Sequence, residues 1–281
     1  MLTLCTSIAP RLSRLGDGGL EVGATYQLAC VMSWLRFGAK VFTVNGEHEM
    51  ALLEKAYPRV ERCTVDMDAK NRPGGRPVPF IRDLLDCIVK NSGGGWCGLI
   101  NSDIYLEGLE ERWSDVENVL PGSLVVIRRM EMTWPSRTQS KVYPFGFDAF
   151  LMDPALCDSL PDCEFAMGIP WWDFWLPVVA WLRGFNVYQL KPTAAYHMSH
   201  PSVWNNEQFI GYGRVFLKQM RAEAERACED SVLAQRGEWI LNALELIKDA
   251  AQEVPLGMGT MSALSRYLEW FFEESGAVKS I

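Results

Sequence analysis

A chain of 281 residues, 48% hydrophobic and 22% charged, is long enough to bury a full core as one large domain, or one domain with an appendage. Its formal charge of -8, from 27 Lys and Arg against 35 Asp and Glu, argues against a nucleic-acid partner, because no Lys/Arg-rich run supplies the basic surface that phosphate backbones need. The apolar start lacks a basic n-region, and no run approaches the roughly 18 apolar residues of a membrane span, so a cytoplasmic protein is expected.

In chain order, apolar β-branched runs predict strands over residues 2–8, 40–44, 60–65, 98–100, 124–127, 147–152 and 187–190. Residues 24–37 carry Leu28, Val31, Met32 and Leu35 at helical spacing and end at Gly38. Residues 47–57 predict a second helix, stopped by Pro58. Residues 79–90 predict a third, with Ile81, Leu84, Leu85 and Ile88 on one face. A further helix opens after Gly168-Ile169-Pro170 and runs to Arg183-Gly184. Strands alternating with helices imply a largely parallel sheet covered on both faces, with ligands at the strands' carboxyl ends. From about Asn205 the texture becomes helical, with a break near Pro255-Leu256-Gly257. The expected division is therefore residues 1–204 as the sheet domain and 205–281 as a helical extension packed on it. The aromatic segment 267–272 suits core packing best, with an oligomer interface or a membrane surface as the alternatives. Eight cysteines are scattered without a CxxC pair, which fits free thiols in a reduced protein rather than a zinc site.

The chemistry concentrates where apolar runs meet polar residues. The run Trp96 to Ile100 leads straight into Asn101-Ser102-Asp103, which puts Asp103 at a strand's carboxyl end. A carboxylate there suits a hard divalent cation bridging phosphates, and the same residues suit a capped turn equally well. Asp66-Met67-Asp68 is a second Asp-x-Asp at a strand end, near a nucleotide's base or ribose if it is functional and a solvated turn if not. In Trp171-Trp172-Asp173, flat apolar rings beside a carboxylate at a helix start suit a stacked acceptor whose hydroxyl proton passes to the Asp. Helix capping is the alternative. Tyr196-His197-Met198-Ser199-His200 holds two of the three histidines. Pro201 predicts an irregular loop there, so a single His–metal bond is expected, or hydrogen-bonded structural histidines. Arg82, Arg128 and Arg129 are candidates for phosphate or acceptor contacts. There is no GxGxxG fingerprint, P-loop or GxSxG elbow.

Taken in order, several short motifs line up: Thr6-Ser7-Ile8-Ala9-Pro10; Gln27 and Ser33-Trp34-Leu35; Val41-Phe42-Thr43-Val44-Asn45; and Leu99-Ile100-Asn101-Ser102-Asp103-Ile104. Phe147-Asp148-Ala149-Phe150, Trp171-Trp172-Asp173 and Ala195-Tyr196-His197 follow. This order resembles the GT-A-fold nucleotide-sugar glycosyltransferases and is similar to bacterial family 2 members, over roughly residues 1–205. The resemblance implies a Rossmann-like α/β fold and a metal and donor-diphosphate motif at Asn101-Ser102-Asp103, with Asn in place of the motif's first Asp. It also implies a catalytic base at Asp173 and a metal-completing histidine at His197 or His200. The expected donor is a UDP- or GDP-sugar against Thr6, Ile8, Asn45, Asp66, Arg82 and the Asn101–Asp103 turn, with Mn²⁺ or Mg²⁺ on Asp103 and a histidine. The hydroxyl acceptor is expected at Trp171 and Trp172, and transfer with inversion. The alternatives are a catalytically silent nucleotide-binding module of the same fold and a nucleotidyltransferase. The absence of a Gly-rich, Arg/Lys-bearing loop after the first strand counts against the nucleotidyltransferase.

Overall fold

The computed structural model describes residues 1–66, 68–71, 75–200, 204–253, 257–274 and 276–281. The chain opens with β1 (Leu2–Thr6), α1 (Gly23–Arg36), β2 (Lys40–Asn45), α2 (Glu47–Ala56) and β3 (Glu61–Thr64). Next come α3 (Ile81–Asn91), β4 (Trp96–Ile100), β5 (Ile104–Leu106), α4 (Leu109–Val119) and β6 (Ser123–Ile127). Then β7 (Arg129–Thr133), β8 (Ser136–Val142) and β9 (Ala149–Met152) lead to α5 (Pro154–Ser159), α6 (Trp172–Leu182), β10 (Asn186–Gln189) and β11 (Ala195–Met198). The chain closes with α7 (Asn206–Cys228), α8 (Ala234–Glu253), α9 (Met258–Glu274) and β12 (Val278–Ser280).

Among the described residues the larger sheet has eight strands in the order β12-β10-β6-β9-β4-β1-β2-β3. All are parallel except β9, which runs against β4 and β6. This is the mostly parallel, helix-flanked α/β sheet that the alternation of patterns predicts. Successive residues of the central strands point to opposite faces and feed two separate cores. Cys5, Leu99, Leu124 and Val126 join α3, α6 and α7 on one face. Leu4, Ile100, Val125 and Ile127 join α1 and α4 on the other. The face of α3 carrying Ile81, Leu84, Leu85 and Ile88 is wholly buried, as its spacing predicts.

Two features escape the sequence pattern. The first is β12, which brings the chain end back to the sheet edge beside β10. The second is a four-stranded sheet in the order β5-β11-β7-β8, which places Tyr196-His197 in a strand and not in the irregular loop expected of it. Within residues 267–272, Leu268, Phe271 and Phe272 are buried, while Trp270 is exposed and stacks on Trp239. The eight cysteines are free. No helix among the described residues is long and apolar enough to cross a membrane.

Packing at the centre of the sheet is tight. A Cβ on Gly98 of β4 would lie 2.6 Å from Leu4 Cδ2 and 2.8 Å from the Phe150 carbonyl oxygen. Gly98→Ala should therefore cost about 1–3 kcal/mol in denaturant unfolding, the range for overpacking a filled core. An unchanged midpoint would show that β1 and β9 can spread.

Candidate functional site

With β9 reversed, the carboxyl ends of β1, β4 and β6 and the amino end of β9 share one edge of the larger sheet. A cleft of about 360 Å³ opens there, with Ser102, Asp103, Arg129, Asp148, His197 and His200 in its wall. Helix α1 builds its floor from buried polar side chains. Tyr26 Oη donates to the Asp103 carbonyl (2.6 Å) and accepts from the Met198 amide (2.8 Å), tying the ends of β4 and β11 together. Gln27 donates to the Ser102 carbonyl, and Trp34 Nε1 donates to the Ile104 carbonyl at 2.8 Å. The turn that carries Asp103 is thus held from below along its length.

The register of the small sheet explains the histidine. His197 on β11 lies opposite Ile104 of β5 on one side and Glu131 of β7 on the other. Its Nε2 is 3.3 Å from Asp103 Oδ2, and its Nδ1 is 3.2 Å from each Glu131 oxygen. His200 Nε2 also lies 3.6 Å from Asp103 Oδ2, so both histidines reach the carboxylate, not one as the sequence implies. Asp103, His197 and His200 form the one group of three or more His, Cys, Asp or Glu among the described residues whose ligand atoms sit close enough to hold a metal ion.

These residues fit a cation. Edges of 3.3 and 3.6 Å suit a metal held by each ligand at about 2.1 Å. Glu131 behind His197 is the carboxylate that fixes a ligating imidazole's tautomer and ring direction. Arg14, which the sequence does not single out, stands at the same place. Its Nη2 donates to Asp103 Oδ2 (2.7 Å) and to His200 Nε2 (2.9 Å). A guanidinium has no lone pair, so His200 must accept through the lone pair that a metal would use. A bound cation therefore requires Arg14 to move off, and its buried Nε has no partner among the described residues.

Electrostatics follow from this packing. Burial alone would raise the Asp103 carboxyl. The His197 charge and hydrogen bond, with His200 and Arg14 beside the carboxylate, instead hold it well below the ordinary carboxylate range. Burial would likewise lower His197, but Asp103 and then Glu131 bring it up to about 9. Glu131 goes down to about 2 because its bonds from His197, Ser199 and Arg129 outweigh its burial.

Asn101, in the place of an acidic residue, points elsewhere. Its Nδ2 donates to Asp148 Oδ1 at 2.7 Å, and Arg129 pairs with the same carboxylate at 2.8 and 3.0 Å. An Asp at 101 would set two carboxylates against each other, so Asp103 is the one carboxylate that the Asn101–Asp103 turn offers to the cleft.

Asp173 lies in the first turn of α6 and borders a second cleft of about 280 Å³, which shares Arg129, Tyr143 and Trp204 with the first. Burial first, then the charges of Asp148 and Glu269, push its carboxyl up to about 7. A Cβ on Gly146 would come 1.9 Å from Asp173 Oδ2, so the glycine is what leaves the carboxylate its place.

Other expected residues fall differently. Thr6 and Ile8 are fully buried, and Ser7 and Ala9 border the cleft in their stead. Extended backbone alternates its side chains, so an apolar residue at 8 turns into the core. The Ile8 backbone matters nonetheless, its amide donating to Thr43 Oγ1 (2.9 Å) and its carbonyl accepting from Asn45 Nδ2 (3.0 Å). Asn45 therefore braces the loop rather than facing the cleft. Arg82 is outside the cleft, bound to Asp86 and to the Leu160 carbonyl, and Asp66 is exposed away from it. Met67 and the side chain of Asp68 lie outside the described residues. Trp172 is 2% exposed and packed on Phe150, and Trp171 is 1% exposed, packed among Phe174, Phe209 and Phe216 behind the second cleft, so neither ring has a face free for an acceptor. Arg128 is spent on Glu269 and Glu273, but Arg129 faces both clefts.

Neither a protein-family profile nor a curated protein sequence matches the chain. Among solved structures it is similar to the mannosyltransferase PcManGT from Pyrobaculum calidifontis in complex with GDP-Man and Mn²⁺, at 8% identity and a TM-score of 0.47, over 98% of this chain and 81% of that one. It is also similar to S. aureus TarS 1–349, at 11% identity and a TM-score of 0.51, again over 98% of this chain and 81% of that one. The first likeness is too distant to carry an argument. The second shows a shared fold, and the chain has that GT-A-like, mostly parallel α/β fold. Fold alone does not assign an activity.

Proposed function

We propose that the protein is a glycosyltransferase that moves a sugar from a nucleoside-diphosphate donor, a UDP- or GDP-sugar, to a hydroxyl acceptor. The observation that supports this best is the placement of two adjoining clefts on one sheet edge. One contains the Asp103, His197 and His200 ligand set, and the other contains a carboxyl at about 7.

The donor diphosphate is assigned to the first cleft, where Arg14 and Arg76 offer positive charge. Asp103, His197 and His200 would hold Mn²⁺ in preference to Mg²⁺, since imidazole is a poor ligand for magnesium, and the ion would supply Lewis-acid neutralisation of the leaving group. Arg14, displaced from Asp103, is then free to pair with a diphosphate oxygen. Asp173 accepts the acceptor's hydroxyl proton, and a carboxyl near 7 is matched to that work at neutral pH. The acceptor oxygen bonds to the donor's anomeric carbon as the bond from that carbon to the diphosphate oxygen breaks. The electron pair leaves with the nucleoside diphosphate. A single displacement of this kind inverts the anomeric centre.

A thermal-shift screen of nucleoside diphosphates, with and without Mn²⁺, tests the donor site. One nucleotide should raise Tm only with the metal present, since ligand at a hundred times its Kd stabilises by about 2.7 kcal/mol. If no nucleoside diphosphate raises Tm with Mn²⁺ present, the donor assignment is wrong.

A further inference from the structure

The second cleft has a chemical character of its own. One wall is aromatic, with half-buried Phe209 of α7 backed by the buried Trp171, just before α6, and Phe174 of α6. Helix α9 forms another with Ser262, Ser265 and Arg266, which the spacing of three and four residues brings onto one face. Among the described residues, neither hydroxyl nor the guanidinium has a protein partner.

The arginines around it differ. Arg129, which also lines the cleft, pairs with Asp148 and Glu131, and its neighbour Arg128 pairs with Glu269. Two carboxylates that follow Arg266 on its own helix are already engaged. Glu269 pairs with Arg128 and accepts from the Gly146 amide at 2.8 Å, and Glu273 bridges Arg128 and Lys191. A chain of net charge -8 thus leaves an unneutralised guanidinium and two free hydroxyls on the rim of the cleft that holds Asp173. A guanidinium offers only donors and hydroxyls can donate, so the complement is an acceptor-only anion.

We infer that this cleft is the acceptor subsite and that the acceptor carries a phosphate or carboxylate group received by Arg266, with its sugar or carbon skeleton against the aromatic wall. This rests on the transferase reading and names the acceptor class for it. The hydroxyl to be glycosylated then lies on the Asp173 side of the bound anion.

The test uses the whole protein, saturated with Mn²⁺ and the nucleoside diphosphate that it binds. Glycerol 3-phosphate and methyl glucuronide are titrated against their neutral counterparts, glycerol and methyl glucoside, by calorimetry or ligand-observed NMR. At least one anionic probe should bind about 10-fold tighter than its neutral partner. The probe that does so tells phosphate from carboxylate. Arg266→Gln, a change at an exposed position, should abolish that preference and leave nucleotide affinity unchanged. Equal binding of charged and neutral probes, no binding of any probe, or a preference that survives in Arg266→Gln overturns the proposal. Nucleotide binding is read in the same titrations. If it is present without an Arg266-dependent preference, only the acceptor class fails. If it is absent, the transferase reading fails and takes this proposal with it.

Discussion

Asp173→Asn should lower kcat about 1000-fold, in the middle of the range for loss of a general base, and yet make the protein more stable at pH 8. The two effects have one origin. Burial, followed by the charges of Asp148 and Glu269, holds the folded carboxyl at about 7, whereas in the unfolded chain it titrates near 3.9. Between about pH 4 and 7 the unfolded chain releases this proton while the folded one keeps it, so stability falls as pH rises through that window. The full difference corresponds to about 4 kcal/mol, and access of solvent to a cleft-facing group reduces the expected gain of the amide to about 2 kcal/mol at pH 8. Below pH 4 the variant and the parent should melt together. Urea unfolding at pH 4 and pH 8, beside transfer rates, reads both effects. Retained transfer would remove Asp173 from the role of base, and equal stability at pH 8 would remove the strain.

The second large effect is expected at Asp103. Asp103→Ala should weaken Mn²⁺ binding by at least about 100-fold, because losing even an outer partner of a metal ligand costs 10- to 100-fold. The free-ion signal in Mn²⁺ electron paramagnetic resonance measures this without reference to activity. The substitution also strips Arg14 and His197 of their shared counter-charge in a part-buried setting. Some loss of stability should accompany it, and Asp103→Asn serves as the milder variant. Unchanged Mn²⁺ affinity in both variants would place the metal elsewhere.

Much of the fold can be read in the sequence because its signals are local. Apolar runs ending in polar residues mark β1, β2 and β4, and the spacing of Ile81, Leu84, Leu85 and Ile88 marks α3. The smaller sheet leaves no such trace. β5 has three residues, and β7 carries Arg129 and Glu131, whose polarity hides a strand that serves a site. Without it, Pro201 makes the histidine segment look irregular, and the convergence of His197 and His200 on one carboxylate is hidden. Asp103 and Asp173 stand out because each sits at the junction of an apolar element and a polar turn. Arg14 does not, since its partner lies 89 residues away along the chain and only tertiary packing joins them. Thr6 and Ile8 turn into the core while Ser7 and Ala9 border the cleft, an alternation that extended backbone carries in its sequence.

The central question is whether a donor is turned over at the Asp103 edge. The decisive measurement is release of free nucleoside diphosphate from UDP- and GDP-sugars by the whole protein, with Mn²⁺ and with chelator. Slow release from one donor with Mn²⁺, none with chelator and loss of release in Asp103→Ala are expected. Binding of that nucleotide with no release from any donor, with or without an anionic acceptor, would contradict this and leave a silent nucleotide-binding module on the same fold.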